Sequence, residues 1–247
     1  MIVGILFPYY WKKKTDVNLM FFLYGIIMWF IVVFIKSLID FGILNMFGNL
    51  FNPLGTGILI ACVYVGLKTG LLESGLSYVF VLKKKLKMDF DRAVAFGLGF
   101  GCIEAFLLGL SSFTTVAIFM FYPQMLDLLS AELRESVVAQ LNASSWIVFA
   151  PIIERIFTVF AHVFAMVLLI CAVHTKKIEY LILSVFYKAM LDGPLPWLQS
   201  VFDTSTVTGV YMIELFVVIM GTIGFVGTRR LRQRFKGHRV KPLKWFA

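Results

Sequence analysis

The chain has 247 residues, 60% of them hydrophobic and only 15% charged, with a mean hydropathy of +0.88. Soluble domains carry about 45–50% apolar and about 25% charged residues, so the composition excludes a water-soluble globule and indicates an all-α polytopic membrane protein. The net charge of +9 does not point to nucleic acid, because the basic residues sit in short segments between apolar runs, as topology signals do.

Those runs are continuous and helix-length, which excludes a β-barrel with its short alternating segments. Met1 to Trp11 is apolar and is closed by Lys12-Lys13-Lys14. It is short for a span, and its charges follow rather than precede it, unlike a signal peptide. It reads as a short N-terminal seventh helix or an interfacial anchor. Leu19 to Ile35 is the first firm span, followed by a loop with Asn45, Asn49 and Asn52-Pro53. Leu54 to Leu82 is a long apolar run interrupted by Lys68 and Glu73, and is expected to tilt, kink or break near Gly70 and Gly75. Lys83, Lys84, Lys85, Lys87 and Arg92 separate it from the span Ala93 to Tyr122, which carries Glu104.

Met125 to Leu141, with Asp127, Glu132 and Glu135, reads as an amphipathic surface helix. Trp146 to Val173 is the next span and contains Glu154, Arg155 and His162. Tyr180 to Val201 contains Lys188 and Asp192, and Pro194 and Pro196 are expected to break or kink it. Gly209 to Val226, with Glu214, is the last of six firm spans, and a basic tail begins at about Arg229. The whole of 1–247 reads as one membrane-embedded domain. Most of the basic residues fall on one side if Lys12–Lys14, Lys83–Arg92, Lys176–Lys177 and the tail share it. The positive-inside rule then places the C-terminus in the cytoplasm of a prokaryotic cell and the Pro123–Ser145 segment outside. The tail is a topology signal that also suits anionic membrane lipid.

Seven groups are hard to place against lipid: Glu73, Glu104, Glu154, Arg155, His162, Lys188 and Asp192. Gly97, Gly101 and Glu104 fall at i, i+4 and i+7, so one helical face carries two small residues and a carboxylate. Arg155 and His162 share a face, as do Lys188 and Asp192. Glu104, His162, Lys188 and Asp192 all come out near the midplane, so a single polar chamber between helices is expected.

Such a chamber suits a metal that activates water for peptide hydrolysis, or a proton-coupled transport path through Glu104, Lys188 and Asp192. It equally suits a structural lattice, with Glu104 beside Lys188 and Arg155 beside Glu154 or Asp192. A catalytic zinc takes three protein ligands, and one histidine is available within the membrane. Cys62, Cys102 and Cys171 lie in apolar runs without paired spacing and read as core residues. Asn142-Ala143-Ser144 matches a glycosylation acceptor. No GxSxG, HExxH, Walker A or CxxC pattern is present.

The order Gly70-Leu71-Leu72-Glu73, Gly97-x-Gly99-x-Gly101-x-x-Glu104-Ala105, Glu154-Arg155 with His162, and Lys188-x-x-x-Asp192 resembles the YhfC family. These are intramembrane metalloproteases related to the CAAX-prenyl type of membrane endopeptidase. The resemblance implies an intramembrane metallopeptidase that holds zinc or another divalent metal and cleaves a peptide bond of a membrane-associated protein or peptide. It implies Glu73, Glu104 and Arg155 as catalytic residues, with Glu73 as the general base or water-positioning carboxylate. It implies His162, Glu104 and Asp192 at the metal, with Glu154 and Lys188 as surrounding ion-pair groups.

This chain departs from the family's pattern at Ser74 and Ser77, which stand for a second carboxylate and an arginine. It departs again at Phe100 and Lys188, where the family commonly has histidine. An ammonium beside a divalent cation is repulsive by about 4 kcal/mol per unit-charge pair at 4 Å and an effective dielectric of 20. Lys188 is therefore expected to replace the metal as the partner of Glu104 or Asp192. The alternative to the peptidase is an inactive homologue acting as a membrane scaffold or binding protein.

Overall fold

The computed structural model describes residues 1–48, 56–141 and 144–236. Among them every regular element is helical. Ten α-helices are α1 (Ile2–Thr15), α2 (Met20–Phe47), α3 (Thr56–Thr69), α4 (Ser77–Lys83), α5 (Phe90–Phe121), α6 (Ala131–Leu141), α7 (Ala150–Thr175), α8 (Glu179–Asp192), α9 (Leu195–Val201) and α10 (Val207–Lys236).

Five stretches of the described residues are long and apolar enough to cross a membrane: Met20–Ile43, Thr56–Lys83, Phe90–Phe121, Ala150–Thr175 and Val207–Phe235. The expected sixth, Tyr180 to Val201, is instead the two shorter helices α8 and α9. The break falls at Gly193 and Pro194, where the proline ring removes a backbone donor. The expected seventh, α1, packs along α5, with Trp11 Nε1 donating to the Asp91 carbonyl at 3.0 Å.

Two other boundaries differ from expectation. Helix α2 does not stop at Ile35 but continues to Phe47, because Lys36 and Asp40 find ion-pair partners on the neighbouring helical segments. The Met125–Leu141 segment is a 3-10 turn over Pro123–Leu128 followed by α6, with Arg134 pairing to Asp127 at 3.1 Å. Asn49, Asn52-Pro53, Asn142-Ala143 and the tail beyond Lys236 lie outside the described residues.

Helices α5 and α7 are the buried centre, with 61% and 72% of their most apolar windows enclosed by protein. Asp89 caps α5, its carboxylate accepting from the Arg92 amide at 2.9 Å. Helix α2 crosses α5 at Gly99, where an added Cβ would stand 2.0 Å from the Phe22 carbonyl oxygen, so only glycine allows this approach. The opposite face of α5, with Gly97 and Gly101, lies against Val163 and His162 of α7, as the spacing predicts. One end of the assembly is basic. His174 at the end of α7 meets the Met88 carbonyl and the Phe235 ring near the end of α10. Arg232 stacks over the Phe90 ring, and Lys176 follows directly on α7 at that same end.

Candidate functional site

The run expected to kink near Gly70 contains a π-helical segment, Gly70–Leu76, between α3 and α4. Such wide turns recur at functional positions because they re-aim a side chain. Here the segment turns Glu73 inward, where it is 4% exposed. Ser74 and Ser184 share a buried hydrogen bond of 2.8 Å that ties the π turn to α8, and Ser184 also donates to the Ala165 carbonyl of α7. The Ser77 hydroxyl is buried without a hydrogen-bond partner.

Glu73 is gripped by two ammonium groups, Lys36 Nζ at 2.5 Å from Oε1 and Lys188 Nζ at 2.9 Å from Oε2. Lys188 is 1% exposed, and its Nζ also lies 3.4 Å from His162 Nδ1. The imidazole of His162, itself 1% exposed, stands between two carboxylates. Nδ1 is 3.6 Å from Glu73 Oε2 and Nε2 is 3.4 Å from Glu104 Oε2. Gly101 makes room for it, since a Cβ there would be 2.9 Å from that of His162. The Phe100 ring covers the imidazole at a centroid distance of 5.3 Å.

Glu104 has its own donors. Arg155 reaches Oε1 at 3.2 Å, and Trp29 Nε1 of α2 donates to Oε2 at 3.0 Å. The other arm of Arg155 pairs with Glu154. A chain of polar contacts therefore runs from Lys36 through Glu73, Lys188, His162, Glu104 and Arg155 to Glu154. Side-chain exposure is lowest in the middle, 1% at Lys188 and His162, and higher toward both ends, 18% at Lys36, 23% at Glu104 and 29% at Glu154. The chamber is closed around His162 and is least enclosed at Glu104 and Glu154. Beyond Lys36, Asp40 pairs with Lys68 and accepts from Tyr64, so the network extends along α2 and α3.

The expected residues Glu73, Glu104, Glu154, Arg155, His162 and Lys188 are thus brought together. Asp192 is not: its charge acts on Lys188, but among the described residues no ion pair or hydrogen bond joins its carboxylate to the cluster. The partner of Lys188 is Glu73, where Glu104 or Asp192 was expected, and Arg155 takes both Glu104 and Glu154. Two cluster members escaped the sequence reading. Lys36 directly follows an apolar run and looks like the end of a span, and Trp29 looks like lipid-facing surface.

A divalent metal does not fit these donors. Among the described residues no three His, Cys, Asp or Glu side chains are arranged to hold one. His162 Nε2 and Glu104 Oε2 are close enough to be neighbouring ligands, but Asp192 does not join them. Glu73 Oε1 accepts from Lys36, Glu73 Oε2 is ion-paired with Lys188 though it accepts no hydrogen bond among the described residues, and the two oxygens of Glu104 meet Arg155 and Trp29. Lys36, Lys188 and Arg155 already pair with Glu73, Glu104 and Glu154, and a divalent ion on His162 would stand beside the Lys188 ammonium, 3.4 Å from Nδ1.

No curated protein and no solved structure matches the chain. The YhfC intramembrane metalloprotease family matches residues 1–217. With apolar helices of spanning length and that match over most of its length, this integral membrane protein belongs to the YhfC intramembrane metalloprotease family.

Proposed function

We propose that the chain is a non-catalytic member of this family, which receives a membrane-associated polypeptide in its intramembrane chamber and holds it without hydrolysing it. The observation that carries this reading is the Lys36–Glu73–Lys188 triple. The carboxylate that would act as general base is held by two ammonium groups and is unavailable to take a proton from water. The mouth at Glu104, Arg155 and Glu154 keeps polar groups within reach of a bound segment. In the bilayer, α8 and α9 form a broken sixth crossing, α1 lies beside α5 as the seventh helix, and the basic end with the C-terminus faces the cytoplasm.

The second reading is peptide-bond hydrolysis by a bound zinc or other divalent metal. The family match favours it, as does His162 Nε2, which is buried, has no hydrogen-bond partner and faces Glu104. Against it stands the donor set, in which Glu73 is paired with Lys36 and Lys188 and Glu104 with Arg155. Incubation of the purified protein in nanodiscs with transmembrane reporter peptides, with and without added zinc, separates the two readings. Capture of intact peptide supports a binding role. Cleavage that is lost in His162→Ala and in the presence of a chelator would overturn it.

A further inference from the structure

Glu214 is a buried acid that the Lys36–Glu154 chain leaves unused. It lies on α10, is 8% exposed, and its Oε2 has no hydrogen-bond partner. Helix α10 runs alongside α7 in the same direction. Tyr211 donates to the Trp146 carbonyl at 2.9 Å, and further along the Phe225 and Phe160 rings meet at 5.1 Å. This register sets Glu214 level with the start of α7, about one turn beyond Glu154 and Arg155 toward the mouth. The charged groups whose fields reach it are those same two residues, Glu154 and Arg155.

Along α7 the chamber is therefore polarised. Toward the middle of α7, Glu73 has two cations, Lys36 and Lys188. Toward the start of α7 lie Glu104, Glu154 and the buried Glu214, and among the described residues Arg155 is the one cation paired with any of them, committed to Glu104 and Glu154. From the level of Glu214 to that of His162 the groups span about three turns, roughly 18 Å at 1.5 Å per residue. A carboxyl group in apolar surroundings keeps its proton unless a cation pairs with it. A cation entering beside Glu154 would supply the partner that Glu214 lacks and let it ionise.

We infer that Glu214, with Glu154, binds an alkylammonium or guanidinium group, the side chain of a lysine or arginine on the polypeptide that the chamber receives. The inference rests on the binding function proposed above and adds its selectivity. Peptide segments with a cationic residue near one end of an apolar stretch dock at the mouth; uncharged ones lack the anchor.

The test uses the full-length protein in phosphatidylcholine nanodiscs and a fluorescent Leu/Ala transmembrane peptide with one lysine a turn or two inside its end. The same peptide with norleucine at that position is the comparison. The expected result is roughly tenfold tighter binding of the lysine peptide, a preference lost in Glu214→Gln. The charge-reversed pair, Glu214→Lys with a glutamate peptide, regains it and guards against a folding defect in one variant. Equal binding of the lysine and norleucine peptides would overturn the anchor while leaving polypeptide binding intact. No binding of either peptide would overturn both. A lysine preference that vanishes when phosphatidylethanolamine replaces phosphatidylcholine would assign the site to a lipid ammonium and overturn the peptide assignment.

Discussion

Lys188 Nζ lies 2.9 Å from Glu73 Oε2 and 3.4 Å from His162 Nδ1, fully enclosed between α8, the π turn and α7. A single ammonium thus joins the carboxylate and the imidazole that the family resemblance assigns to a hydrolytic centre.

Removing only the acid of this pair leaves a buried, unpaired ammonium. Glu73→Gln is expected to cost about 3–5 kcal/mol of stability. Lys188→Met leaves Glu73 with Lys36 and should cost less. The double variant Glu73→Gln/Lys188→Met should recover most of the loss. Unfolding in one detergent, compared across the three variants, gives the coupling directly. Additive losses would show that the two side chains are not partners.

Trp29 holds Glu104 from a helix that carries none of the motifs. Trp29→Phe keeps the ring but deletes the N–H at 3.0 Å from Oε2. A hydrogen bond to a charged group is worth about 1.5–3 kcal/mol, and a loss in that range is expected in the same unfolding assay. An unchanged stability would place the indole elsewhere.

Gly99→Ala should separate α2 from α5, because its methyl would meet the Phe22 backbone, and overpacking of this kind costs about 1–3 kcal/mol. Gly75 has nothing within 4 Å of the added carbon, so Gly75→Ala should stay within about 0.5 kcal/mol of the parent. Thermal unfolding of both variants checks the contrast.

Much of this architecture was legible because an ionisable residue in an apolar run must find company. That reasoning gathers Glu73, Glu104, Glu154, Arg155, His162 and Lys188 from the sequence, and it also gathers Asp192, which the structure leaves outside the cluster. The glycine spacing likewise foretells the close contact of Gly97 and Gly101 with α7. Pro194 signals the break after α8, although it does not say that the pieces are each too short to count as a span. Partner identity was not legible: the sequence pointed Lys188 to Glu104 or Asp192, and its partner is Glu73. The π turn decides it by rotating Glu73 inward. Lys36 was hidden for a different reason: a lysine after seventeen apolar residues looks like a span end, and only the pairing to Glu73 explains why α2 continues.

Phe100 and Lys188 flank His162 from two sides, at a ring-centroid distance of 5.3 Å and an Nζ–Nδ1 distance of 3.4 Å. Replacing both by histidine would place three imidazoles around one point, remove an ammonium and free an oxygen of Glu73. Phe100→His/Lys188→His is expected to gain a zinc site that the parent lacks, measured by titration of the detergent-purified protein. Failure of the folded double variant to bind zinc would argue that these two substitutions are not what keeps the metal out.

The most direct measurement is the metal content of the parent protein, purified in detergent, incubated with excess zinc, dialysed and analysed by mass spectrometry beside His162→Ala. A chamber closed by its own lysines should retain no stoichiometric metal in either sample. One zinc per chain in the parent and none in His162→Ala would contradict the non-catalytic reading and restore the metallopeptidase.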